Sequence, residues 1–280
     1  MSTVADVGAE TARDLAWGTS CPTGLAAFVL GGMRRGIIRG PLRAPGRSAL
    51  RAIAPFFDVE IEGLKWRLWV GDNLTEQRLL ERGLHKNKAG LALIMDGLKA
   101  GGAFVDIGAN CGLFSLFSAK AVGPQGRVLA VEPQPEMARR LRFNARANGF
   151  DQIALVEAAI GAEDGSATLH VKDGQYGLSS LHTDVGGNGA SVTVPVRPLL
   201  AIVQEVGLSR IDALKIDIEG FEDRALVPFI ETAPRGLWPQ RIFMETTHTS
   251  RWDVDLLAAL TQAGYATTWQ SDRDVLLMLA

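Results

Sequence analysis

Between Asp58 and Val70 the chain alternates in period two. Val59 and Ile61 precede Glu62-Gly63, and Leu64, Trp66, Leu68 and Val70 follow it. Two alternating runs around a short glycine turn predict a β-hairpin. From Thr75 to Lys99 the period changes, with Leu79, Leu80, Leu84, Leu91, Ile94, Met95 and Leu98 at helical spacing. Gly101-Gly102 ends that helix in a common way. Beyond residue 103, short apolar runs alternate with helix-length segments. The strands predicted are Phe104–Ile107, Arg127–Val131, Ile153–Val156, Ala213–Ile218, Arg241–Met244 and Val275–Leu279. The helices predicted are Leu113–Val122, Pro135–Asn148, Phe221–Thr232 and Val254–Ala263. Such alternation predicts an α/β fold, a mostly parallel sheet covered on both faces. Thr168–Val171 and Val192–Val196 break the rhythm, since Gly186, Gly187 and Gly189 lie between them and no helix does. They predict an insertion at the sheet edge or over the site. Residues 1–74 are expected to form an N-terminal extension, partly disordered, with a basic helix and the hairpin. Residues 75–280 form the main domain.

Charge adds one local feature. The chain carries 29 basic and 31 acidic side chains, so a nucleic-acid partner is not expected. Between Cys21 and Pro55, however, stand Arg34, Arg35, Arg39, Arg43, Arg47 and Arg51, and no acid. On a helix, residues 35, 39, 43 and 47 make one basic stripe, although Gly40, Pro41 and Pro45 interrupt it. The stripe reads as a solvated face, or as a patch for an acidic partner, a phosphorylated substrate or a membrane surface. The longest N-terminal apolar run, Leu25–Leu30, is too short for a transmembrane segment, and the acids Asp6, Glu10 and Asp14 before it are unlike a secretion signal. Cys21 and Cys111 show neither disulfide nor zinc spacing, so a cytoplasmic location is the expectation.

The candidate chemistry centres on FVDIGANCG, residues 104–112. A buried strand runs into Gly108, a tight turn closes at Gly112, and a helix starts at once. Ligands of open parallel sheets sit at such carboxyl strand ends. The next strand ends in Glu132, placed to accept hydrogen bonds from ribose hydroxyls. The turn lacks the middle glycine of the dinucleotide fingerprint. Asp106 beside it would repel a pyrophosphate but not the amino and sulfonium groups of S-adenosylmethionine. That favours the methyl donor over NAD, although Asp106 could also simply bond loop amides. Cys111 reads as a small filler.

Lys215-Ile216-Asp217-Ile218-Glu219-Gly220 places three charges on one face of a central strand. Unpaired buried charge is costly, so these residues either close a strand end or face a ligand. Asp217, Glu219 and His248 are candidates for the base that takes a proton from a hydroxyl acceptor. Asp217, Glu219 and Glu245 offer hard oxygens that could instead hold Mg²⁺, but no spacing demands a metal, and none is assigned. Gly177–Leu181 offers hydroxyls to an acceptor pocket, or is a plain loop.

FVDIGANCGLFS (104–115), VLAVEPQP (128–135), the helix carrying Asn144 and Asn148, LKIDIEGFE (214–222) and RIFMET (241–246) together resemble the FkbM-type methyltransferases. The resemblance runs in order over about 75–280. It implies a class I methyltransferase, Rossmann-like fold, whose mostly parallel seven-stranded sheet has an antiparallel last strand. It implies S-adenosylmethionine as cofactor and methyl transfer, usually to a hydroxyl oxygen of a sugar, glycolipid or polyketide-like metabolite. By position it assigns Asp106, Gly108, Asn110 and Gly112 to the methionine part of the donor and Glu132 to the ribose, with Ala109 and Pro133 also among the cofactor-binding residues. Ala158, Ala159 and Ile160 would flank the adenine, and Asp217 would sit at the sulfonium end. The partner expected is a small-molecule or glycosylated acceptor, with homo-oligomerisation left open. The alternatives are an NAD-dependent oxidoreductase and a non-catalytic subunit that binds the donor.

Overall fold

The computed structural model describes residues 15–84, 88–171, 176, 179–180 and 191–280. The chain opens with helices α1 (Gly24–Arg34) and α2 (Arg43–Ile53), then the hairpin β1 (Phe56–Ile61) and β2 (Leu64–Trp69). Glu62 and Gly63 both take positive φ, 52° and 71°, as a two-residue hairpin turn that follows strand twist requires. Helices α3 (Leu74–Arg82) and α4 (Lys88–Met95) follow. The single helix expected over 75–99 is therefore two, because Gly83 leaves the helix at φ 64° and caps α3.

The strand–helix series then runs β3 (Ala103–Ile107), α5 (Leu113–Val122), β4 (Arg127–Val131), α6 (Pro135–Ala147) and β5 (Ile153–Val156). A smaller sheet is made of β6 (Ala159–Ile160), β7 (Gly165–Val171), β8 (Ser179–Ser180) and β9 (Ser191–Arg197). The chain returns through α7 (Leu199–Glu205), β10 (Ala213–Ile216), α8 (Glu222–Thr232), β11 (Arg241–Glu245), α9 (Leu256–Gln262), β12 (Tyr265–Gln270) and β13 (Asp274–Leu279). The main sheet has seven strands in the order β12-β13-β11-β10-β3-β4-β5. All neighbours pair in parallel except β13, which runs antiparallel to both β11 and β12. The expected sheet and its reversed last strand are present. The order reverses between β3 and β10, the crevice where α/β sheets take ligands.

Alternation along the strands divides the core. Val105, Ile107, Leu129, Val131, Leu214, Ile216, Ile242 and Met244 face α7, α8 and α9. Phe104, Val128, Ala213 and Phe243 face α4 and α5. A third cluster joins α1, α2 and the hairpin to α3 and α5, with Leu30, Trp66, Leu68, Leu80 and Leu116 buried together.

Two asparagines of α6 hold the hairpin by its backbone. Asn148 accepts from the Lys65 amide through Oδ1 at 2.8 Å and donates to the Lys65 carbonyl through Nδ2 at 2.7 Å. Asn144 Oδ1 accepts from the Arg67 amide at 2.8 Å. Arg67 in turn forks onto Asp58 at 2.7 and 2.8 Å, between the Phe56 and Phe143 rings.

The basic stripe is neither a uniformly solvated face nor a free patch. Arg43 and Arg47 clasp buried Glu81 at 2.8 and 2.6 Å, Arg51 donates to the carbonyls of Val70 and Gly71, and Arg34 donates to that of Leu80. Pro45 lies inside α2, in its first turn, where a missing N–H costs no helical bond. Arg35 and Arg39 remain exposed.

Candidate active site

The carboxyl ends of β3, β4, β10 and β11 surround a cavity of about 520 Å³, a size suited to a nucleoside-like ligand. Its floor is the turn after β3. Gly108 has φ 73°, and a Cβ there would lie 2.0 Å from the Asp217 carbonyl oxygen, so glycine lets two strand ends meet. Asn110 also takes positive φ, 52°. Its side chain accepts from the Cys111 amide at 2.7 Å and from Asn73 Nδ2 at 2.6 Å. Asn73 caps α3 by accepting from Thr75 and Glu76 amides, so the extension's last turn is tied to the cavity floor.

Glu132 stands at the end of β4. Its Oε2 accepts from the Asn110 amide at 2.7 Å and its Oε1 from the Gln134 amide at 2.9 Å. Each carboxylate oxygen keeps a further lone pair toward the cavity that Glu132 lines. Burial raises its pKa from 4.5 to about 7, although the amides and Lys215 oppose the shift. Glu76 is raised likewise to about 7 by burial, against the pull of Arg140. For both, the native state keeps a proton that the unfolded chain has released above 4.5. Stability should therefore fall as pH rises from about 4.5 to about 7, then level off. Glu132→Gln should remove part of that slope, to which Glu76 and Asp217 also contribute. Denaturation midpoints across this pH range test it, and an unchanged slope would exclude Glu132 as a source.

Lys215 and Asp106 are register partners on neighbouring strands. Their Nζ–Oδ1 distance is 3.6 Å, and Lys215 also donates to the Gly108 carbonyl at 2.7 Å. Burial would lower the Lys215 pKa, but Asp106, Asp217 and Glu132 outweigh it and raise it. Asp106 is fully buried and accepts from Ser115 Oγ at 2.6 Å. The charge that the sequence argument set against a pyrophosphate is thus balanced by Lys215. Gly112 is packed against Leu116 and Leu141. Asp106 and Gly112 therefore stand behind the turn and support it. Gly108, Ala109, Asn110, Glu132, Pro133, Ala158, Ala159, Ile160 and Asp217 line the cavity. Cys111 is buried, and burial pushes its thiol pKa well up, which removes it as a nucleophile.

The segment after β10 is built differently from the expected strand face. β10 stops at Ile216, two residues early, and Glu219 takes a left-handed φ of 57°. Glu222 fixes that bend, a role that sequence reasoning missed. Its Oε1 accepts from the Ile218 and Gly220 amides at 3.0 and 3.3 Å, and its Oε2 from Trp252 Nε1 at 2.7 Å. The bend brings Glu219 Oε2 to 2.9 Å from His248 Nε2. Asp217 is raised to about 6, first by burial and then by Glu245, with Lys215 opposing. Its side chain nonetheless keeps 41 % exposure, toward the cavity it lines. Glu245 accepts from Arg273 Nη2 at 2.7 Å. Arg273, Asp274, Tyr176 and Asn73 also line the cavity without having been expected there. Glu219, Glu245 and His248 bring ligand atoms within 4.8 Å of one another, a set differing from the expected carboxylates by His248 for Asp217. Each already has a protein partner. Most of 177–181 falls outside the described residues.

Among known proteins, the chain is 31 % identical over 117 residues to the protein-L-isoaspartate O-methyltransferase of Triticum aestivum, covering 41 % of this chain and 47 % of that one. It is 29 % identical over 150 residues to methyltransferase sdnD of Sordaria araneosa, covering 42 % and 56 %. The chain thus spans about half the length of these curated relatives. A solved S-adenosylmethionine-dependent O-methyltransferase of Thermotoga maritima superposes with a TM-score of 0.42 at 16 % identity, over 70 % of this chain and 65 % of that one. No helix among the described residues is long and apolar enough to cross a membrane. Residues 106–266, more than half of the chain and a span that runs from within β3 to the start of β12 and includes the turn at the cavity floor, match the methyltransferase FkbM domain, and the protein belongs to that family.

Proposed function

We propose that this protein transfers a methyl group from S-adenosylmethionine to a hydroxyl oxygen of a small-molecule or glycosylated acceptor. The observation that carries the reading is convergence. The turn at Gly108–Asn110, the Glu132 carboxylate, the Ala158–Ile160 segment and Asp217 all face one cavity. Family membership supports methyl transfer, and it does not favour the nicotinamide alternative. The residues present fit the donor. Glu132 retains acceptor capacity for ribose hydroxyls, Ala159 and Ile160 offer an apolar wall for a base, and the carboxylates beyond Asp217 suit a cationic centre. When bound, S-adenosylmethionine supplies a methyl group made electrophilic by a positive sulfur.

The chain's own work is alignment and proton removal. Holding an acceptor oxygen in line is the main requirement, because the donor is already activated. Glu219 accepts from His248 Nε2 and so orients the ring, which leaves Nδ1 to take the acceptor's proton. Asp217, with a pKa near 6, is ionised at neutral pH and holds the cavity wall negative. Glu219, Glu245 and His248 could alternatively hold a divalent ion. In that case His248 would be a ligand, and chelation would abolish turnover while leaving donor binding intact.

Titration calorimetry with S-adenosylmethionine and with NAD tests the donor assignment. Heat with the first and none with the second is expected, and the reverse result would sink the reading. Glu132→Ala should weaken donor binding by one or two hydrogen bonds, about 0.5–1.5 kcal/mol each. Labelled methyl transfer to fractionated extracts then separates an enzyme from a subunit that only binds the donor.

A further inference from the structure

We propose that the outer surface of α1 and of the turn joining it to α2 docks on an anionic lipid surface. Eight large apolar side chains are exposed among the described residues, and four of them (Leu25, Phe28, Ile37 and Leu42) belong to this one segment. Phe28 is 75 % exposed and Ile37 69 %, so these side chains project outward and do not line a groove. Helix α1 is apolar on two sides. Ala26, Val29, Leu30 and Met33 are buried against the body, while Leu25 and Phe28 point away from it. Propensity and core packing explain the first set and not the second.

The charges interleaved with these side chains have one sign. Arg34, Arg43, Arg47 and Arg51 are committed to carbonyls and to Glu81. The side chains of Arg35 and Arg39 are exposed and make no hydrogen bond or ion pair among the described residues. No acidic residue occurs between Cys21 and Phe57, in a chain whose net charge is −2. Projecting apolar groups among unpaired arginines are the combination that inserts into headgroups of negative lipid. A second copy is a poorer occupant, because a two-fold contact would set Arg35 and Arg39 against the same patch.

The surface is also linked to the site. Arg34 bonds Leu80, and Arg43 bonds Glu81, in the last turn of α3. The first turn of the same helix, Leu74 and Thr75, lines the cavity. Nine helical residues span about 13 Å, so the docked surface and the cavity lie about one short helix apart.

The test is co-flotation of the full chain with vesicles. Vesicles of phosphatidylcholine mixed with phosphatidylglycerol should carry the protein, and vesicles of phosphatidylcholine alone should not. Phe28→Glu, and Arg35→Glu with Arg39→Glu, should each weaken binding by about tenfold or more. All three positions are exposed, so circular dichroism and binding of S-adenosylmethionine should be unchanged. Absence of co-flotation, or equal binding by the wild-type chain and both variants, would overturn the proposal. So would a concentration-dependent dimer in light scattering that Phe28→Glu abolishes, since a second copy would then be the occupant.

Discussion

Gly108→Ala is expected to weaken binding of S-adenosylmethionine by about two orders of magnitude, on the order of 3 kcal/mol. Two costs combine. An alanine at φ 73° meets its own carbonyl oxygen, a strain of roughly 1–2 kcal/mol that the free turn relieves by leaving this conformation. The added Cβ also falls 2.0 Å from the Asp217 carbonyl oxygen, a backbone atom that cannot rotate away. The turn after β3 must then separate from the end of β10. That movement displaces Ala109 and Asn110 on one side and Asp217 on the other, all of them on the cavity wall. Calorimetric titration with S-adenosylmethionine, alongside circular dichroism to confirm the fold, measures it. A dissociation constant within about threefold of wild type, on a scale where 1.4 kcal/mol is tenfold, would mean that the turn does not hold the donor.

Arg140→Met should give the largest loss of stability, about 3–5 kcal/mol when measured above pH 7, where Glu76 is ionised and loses its buried partner. Arg140 reaches Glu76 and Asp72 through its guanidinium and Glu136 at 2.8 Å, and it lies 4.3 Å over the Trp69 ring. Glu76 is fully buried and on α3, Asp72 precedes that helix, and Arg140 is on α6. One guanidinium therefore joins three parts of the chain. The double change Arg140→Met with Glu76→Gln should recover much of the loss, since no unpaired charge then remains inside. Urea denaturation of both variants checks the pair. Equal instability of the single and double variants would place the effect in packing against Trp69.

The main sheet was legible because its signals are local. Gly108 and Gly112 bracket the turn after β3, and β4 and β5 are runs of apolar residues with nothing else to be. Most strand and helix positions follow within two residues. Where reading failed, the deciding partner lay far along the chain. The arginine stripe looked solvated because Glu81, which takes Arg43 and Arg47, is 34 to 38 residues away. Asn73 escaped notice because its meaning lies in Asn110, 37 residues on. The helix at Leu199–Glu205 is only seven residues long, too short for a period to show. β12 presents exposed Ala266, Thr267 and Thr268, so its alternation is faint.

Of the candidate site, the cavity-lining turn after β3 and the end of β4 were readable, since strand ends and glycines encode them. The bend after β10 was not. Simple alternation places Lys215, Asp217 and Glu219 on one strand face, yet Glu222 bends the chain after Ile216 and turns Glu219 toward His248. A carboxylate that caps loop amides gives no periodic signal. The acids beyond the strand end were visible as residues, but their pairing was visible only in three dimensions.

Asn144 and Asn148 bind the peptide groups of Lys65 and Arg67, and peptide groups are common to every residue but proline. The hairpin is thus recognised by its main chain, as a neighbouring strand would recognise it. Outward-facing positions such as Lys65 are free to be rewritten without loosening the attachment. A part of the molecule can in this way drift in composition while its location stays fixed, which separates the evolution of its outer face from that of the sheet beneath.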